Sequence, residues 1–70
     1  MEKKEVTLST EFIKLDSLLK FAGVCMTGGE AKNRIQQGTV KVCGQMCLQR
    51  GKKIRPGETV ELDGTIIEVK

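Results

Sequence analysis

The feature that most constrains this chain is a pair of short helical patterns, each closed by a glycine, followed by segments that read only as strands. Leu15, Leu18, Leu19 and Ala22 stand at i, i+3, i+4 and i+7, the apolar stripe of an amphipathic helix. Gly23 ends it, because glycine takes the left-handed conformation that follows a last helical turn without a Cβ penalty. Thr27-x-x-Glu30 has the form of a capping box, so a second helix begins at Thr27, buries Ala31 and Ile35, and closes at Gly38.

Two such short stripes need a shared apolar surface, and the rest of the chain offers a sheet. Val40 and Val42 flank Lys41, and Val60 and Leu62 flank Glu61, the alternation of half-buried strands. A weaker strand pattern covers Glu5 to Leu8. Asp63-Gly64 suits a type I′ hairpin turn, Pro56-Gly57 a type II turn, and Cys43-Gly44 a further hairpin turn. The expected fold is α+β, a two-helix hairpin packed on a small sheet, in one domain over residues 1–70.

A chain of 70 residues buries only about 60% of the surface that its unfolded form exposes, so a deep catalytic pocket would remove much of its core. There is no histidine to pair with a nucleophile, and no catalytic residue, cofactor or small-molecule substrate is expected. Cys25, Cys43 and Cys47 lack the spacing of a zinc site, and they read as free thiols packed as small hydrophobes. No apolar run approaches a membrane span and no apolar stretch follows the N-terminal lysines, so a soluble cytoplasmic monomer is expected.

The charge pattern says more than the net charge of +3. After Glu30 no acid appears until Glu58, yet Lys32, Arg34, Lys41, Arg50, Lys52, Lys53 and Arg55 lie between them. Surfaces that serve only solubility mix signs, whereas a one-sided field attracts a polyanion. Four of the seven cations fall in "RGKKIRPG", which focuses the field at a loop. On the second helix, Lys32 and Arg34 lie about 160° apart around the axis, so both cannot point at one flat surface. Lys20, on the polar side of the first helix, reads as solvated.

The glycines of "TGGEAK" lack phosphate-loop spacing and serve a tight helix entry, although the same amides suit a phosphate. Phe12 and Phe21 read as core, and there is no Trp or Tyr. Without aromatic platforms for unstacked bases, recognition falls to backbone phosphates and to the shape of a folded nucleic acid.

In this order of motifs the segment "KLDSLLKFAGVCMTGGEAKNRIQQGTVKVCGQMCLQRGKKIRPGETVEL" resembles the S-four RNA-binding domain, or alpha-L motif, over roughly Phe12 to Leu62. Lys14-Leu15-Asp16 stands where that family has Arg-Leu-Asp, and Glu30-Ala31-Lys32 matches its Glu-Ala-basic run. "IQQGTVKV" fits Ile-x-x-Gly-x-Val-x-Val, and "GKKIRPGETVEL" fits the basic loop and Pro-Gly-acid turn of small stand-alone bacterial members. Gly28 replaces a common arginine, Cys43 a common asparagine, and Arg34 a common apolar residue.

The resemblance implies a helix–loop–helix on a mostly antiparallel sheet and a non-catalytic module for structured RNA, ribosomal or transfer. The residues expected to contact RNA are Lys14, Gly28, Gly29, Lys32, Arg34, Lys41, Arg50, Lys52, Lys53 and Arg55. The rival expectation is an adaptor that docks an acidic protein partner through the same basic loop.

Overall fold

The computed structural model describes residues 2–70. In chain order the elements are β1 (Glu2–Val6), β2 (Ile13–Lys14), α1 (Leu15–Phe21), α2 (Gly28–Gln36), β3 (Val40–Val42), β4 (Gln45–Met46), β5 (Lys53–Ile54), β6 (Thr59–Leu62) and β7 (Thr65–Val69). Five strands form one sheet in the order β1-β7-β6-β3-β4, and β2 pairs with β5 in a separate ribbon. All pairings are antiparallel except that of β1 with β7.

Local chemistry accounts for most element ends. The Thr27 hydroxyl accepts the Glu30 N–H at 3.1 Å, which satisfies an amide that the first turn of α2 leaves free. Gly38 follows α2 with φ +78°, as a C′ glycine should. Cys43 and Gly44 both have positive φ (51° and 84°), as do Asp63 and Gly64 (49° and 78°), the backbone that a type I′ hairpin requires.

Both helices pack against one face of the sheet. Leu15, Leu18 and Leu19 of α1 and Ala31 and Ile35 of α2 meet Val40, Val42, Val60, Leu62, Ile67 and Val69 in a single buried cluster. Ile54 of the ribbon enters the same cluster and is completely buried, so the ribbon is tied to the domain by apolar contact as well as by its backbone.

Four sequence expectations need correction. Phe21 is not core but 69% exposed, because it lies about 110° around the helix from the middle of the leucine stripe. Phe12 is only half-buried. Of the three cysteines only Cys25 is buried; Cys43 is exposed because it forms a hairpin tip, and Cys47 is intermediate. The first strand runs over Glu2–Val6 rather than Glu5 to Leu8, since parallel pairing with β7 sets its register, Glu2 opposite Thr65 and Val6 opposite Val69.

Candidate nucleic-acid interface

The centre of the basic stretch is a short ribbon held against the start of α1. Ile13 pairs with Ile54 and Lys14 with Lys53, antiparallel. The isoleucines turn inward, which leaves the two lysines opposite one another and exposed. The Leu15 N–H donates to the Lys52 carbonyl at 2.9 Å and the Asp16 N–H to the Arg50 carbonyl at 3.1 Å. Two amides that begin α1 are thus satisfied by the basic loop itself, and Arg50, Lys52 and Lys53 are fixed beside Lys14.

Three features of this ribbon run against stability. Like charges directly opposite on paired strands repel. Lys14 is also the N-cap residue of α1, where the helix dipole disfavours a cation, and its side chain makes no capping hydrogen bond. Among the described residues no carboxylate forms an ion pair with Lys14, Arg50, Lys52, Lys53 or Arg55. The Lys53 ammonium lies 4.8 Å from the centroid of the Phe12 ring, a cation–π contact that holds the charge in place without neutralising it.

Glu58, the first acid after the basic stretch, is directed elsewhere. Its carboxylate accepts the Arg55 backbone N–H at 2.8 Å, while its own N–H donates to the Arg55 carbonyl at 3.1 Å across the Pro56–Gly57 turn. The Arg55 guanidinium is left without an ion pair to it.

The other expected cations are distributed differently. On α2, Arg34 reaches the β6–β7 turn and pairs with Asp63 at 2.5 Å, whereas Lys32 is half-buried with no ion pair among the described residues. Lys41 alternates with the buried Val40 and Val42, so it lies on the sheet face away from the helices, with Glu61 opposite it on β6. Lys14, Arg50, Lys52 and Lys53 are therefore brought together, and Lys41 is not among them.

Gly28 and Gly29 begin α2 without positive φ, and a Cβ on Gly28 would meet nothing within 4 Å. The tight-entry reading is thus not required by space.

Phe12 under Lys53 and the Glu58 carboxylate on Arg55 were not legible as parts of the site. A signal for the ribbon did exist. Ile13-Lys14 and Lys53-Ile54 are mirror-image dipeptides, which antiparallel pairing matches isoleucine to isoleucine and lysine to lysine.

Among the described residues no cluster of three or more His, Cys, Asp or Glu could hold a metal ion. Burial raises the Cys25 thiol above its ordinary range, and the nearby Glu30 carboxylate adds to the effect.

Comparison with known proteins agrees with this architecture. A curated relative from Bacillus subtilis, "Probable ribosome maturation protein RlbA", is 36% identical over 59 residues, which cover 84% of this chain and 83% of that protein. A tyrosine–tRNA ligase from Ralstonia nicotianae is 38% identical over 56 residues, 80% of this chain but only 14% of the enzyme. The similarity to the ligase is therefore confined to one small part of it. The model of the S4 domain matches residues 6–70. With helical hairpin, sheet and sequence in agreement, the chain belongs to the S4 domain family.

Proposed function

We propose that this protein is a non-catalytic RNA-binding module that grips structured RNA, ribosomal or transfer, through the β2–β5 ribbon and its loop. The observation that carries the reading is the juxtaposition of Lys14 and Lys53, two cations held opposite each other and, among the described residues, in no ion pair with an acid. A phosphate between them removes the repulsion that folding creates, so the same feature that costs stability favours an anion. Arg50, Lys52 and Arg55 extend the grip along a backbone, and Lys32 with the amides of Gly28 and Gly29 contributes from α2. Arg34, already engaged by Asp63, and Lys41, on the other sheet face, take the smallest share.

Family membership supports this reading, as do relatives whose names refer to ribosome maturation and to charging of transfer RNA. Positions read through phosphates bind with steep salt dependence and weak sequence preference. Filter binding of the full chain to ribosomal RNA fragments and bulk transfer RNA tests it. The logarithm of the binding constant is expected to fall by several units per decade of salt, and the slope to shrink when Lys14 and Lys53 become serine. A flat salt response, or a slope that ignores both lysines, would refute the proposal.

A further inference from the structure

The two edges of the main sheet are protected very differently. β1 carries Glu2, Lys3, Lys4 and Glu5, and its charges are paired by Lys4–Glu2, Lys3–Glu68 and Lys70–Glu5 contacts at 3.0 to 3.6 Å. Charged edge strands of this kind resist pairing with another chain. β4 has no such protection. From Cys43 to Gln49 the sequence "CGQMCLQ" has no charge, and Met46 and Leu48 are 61% and 54% exposed.

The geometry of β4 leaves it open. Cys47 donates its N–H to the Val40 carbonyl at 3.0 Å, and Val42 stands opposite Gln45. In an antiparallel ladder the backbone groups of alternate residues point inward and outward, so those of Met46 face away from β3, and Leu48, just beyond β4, makes no backbone hydrogen bond among the described residues. The two side chains form one patch: a Cβ on Gly38 would stand 2.9 Å from the Met46 sulfur and 3.9 Å from a Leu48 methyl. Alongside runs a shallow cavity of about 380 Å³, lined by Val42, Cys47 and Lys52 among others.

We infer that the β4 edge is a docking strand for an extended segment of a protein partner that alternates apolar and acidic side chains. The free backbone groups of Met46 and Leu48 supply a ladder, and their side chains an apolar contact at alternate positions. Charge selects the occupant. Lys52 lines the cavity, Lys41, which Glu61 faces from β6, stands opposite Met46, and no acid occurs in the chain between Glu30 and Glu58, so an acidic strand is attracted. A second copy of this chain, edge to edge, would bring those cations against their own counterparts and is disfavoured. A nucleic-acid backbone gains nothing from an exposed methionine and leucine. This surface shares Lys52 with the RNA grip proposed above but excludes the Lys14–Lys53 pair, and it does not depend on RNA binding.

The test is a titration of the isotope-labelled full chain with a short synthetic peptide of alternating glutamate and valine, followed by amide shifts and hydrogen exchange. The expected result is new exchange protection at the Met46 and Leu48 amides, with Lys14 and Lys53 unaffected. Block-ordered peptide of the same composition, and its lysine–valine counterpart, should fail. Leu48→Ser, which removes the apolar contact without changing the charge of the edge, should weaken peptide binding by about tenfold and leave RNA binding and thermal unfolding as they were. The mapping on the unsubstituted chain stands even if that variant folds poorly.

Several results would overturn the inference: no binding at millimolar peptide; shifts centred on Lys14 and Lys53; concentration-dependent protection of Met46 and Leu48 without peptide, which would assign the edge to a second copy; or RNA protecting those amides in place of peptide.

Discussion

The β1–β7 edge and the β2–β5 ribbon are both rich in charge, but they use it in opposite ways. On the edge, Lys3 meets Glu68, Lys4 meets Glu2 and Lys70 meets Glu5, so each cation has a carboxylate within reach. On the ribbon, Lys14 faces Lys53, and Arg50, Lys52 and Arg55 add to the same sign. Exposed ion pairs contribute little to stability, so the edge is tuned for solubility and against unwanted pairing. On the ribbon the like charges stand opposite one another without an ion pair among the described residues.

The largest effect that would sharpen this contrast comes from the residue that anchors the ribbon. Ile54→Ala removes a fully buried side chain, with an expected loss of about 2–5 kcal/mol measured by denaturant unfolding. A loss below about 1 kcal/mol would mean that the ribbon is held by its backbone alone.

Next come matched pairs of charge removals. Lys14→Ser with Lys53→Ser should lower RNA affinity by about a hundredfold at low salt and reduce the salt slope by about two units. Lys3→Ser with Lys70→Ser, the same change in net charge, should leave both nearly unchanged. Equal losses from the two pairs would break the contrast and reduce the interaction to net charge.

A smaller effect of opposite sign follows from the repulsion itself. Lys14→Gln takes a cation from the N-cap of α1 and from opposite Lys53, but spares the Lys53–Phe12 contact, so it should stabilise the fold by about 0.2–1 kcal/mol while weakening RNA binding. Gain of stability with loss of binding is the signature of a strained functional site.

The smallest effect is alkaline. Hydrogen bonding and attraction to Glu68 raise the Lys3 ammonium above its ordinary 10.5, and burial raises Cys25 above its ordinary 9.0. Each group holds its proton more tightly when folded, so its contribution is complete below the ordinary value and is lost as pH climbs through the raised one. Stability should decline first above about pH 9, from Cys25, and Cys25→Ala should flatten that decline while leaving the later one from Lys3.

Much of the fold was legible because its signals are local. The leucine stripe, the glycine stops and the I′ turns each involve residues within a few positions of each other and appear as read, while of the Thr27–Glu30 capping box only the threonine half forms, the Glu30 carboxylate making no return bond among the described residues. β2, β4 and β5 are two residues long, too short for any period to register, and their pairing is decided by what they meet across the fold. Arg34 illustrates the same limit at the site. Its helical position suggested either water or phosphate, but its partner, Asp63, lies 29 residues further along the chain and is met only after the sheet has formed. Phe21 failed for a simpler reason: an aromatic residue was credited to the core although its angular position lay off the stripe.

The parallel partnership of β1 and β7 sets a timetable. Glu2 must find Thr65, and Val6 must find Val69, across almost the whole sequence, whereas the hairpins β3–β4 and β6–β7 close over a few residues. Closing so wide a loop is slow and becomes worthwhile only once β7 is already seated beside β6. The segment Glu2–Val6 therefore joins the sheet late, as a guest of a strand that must already be in place.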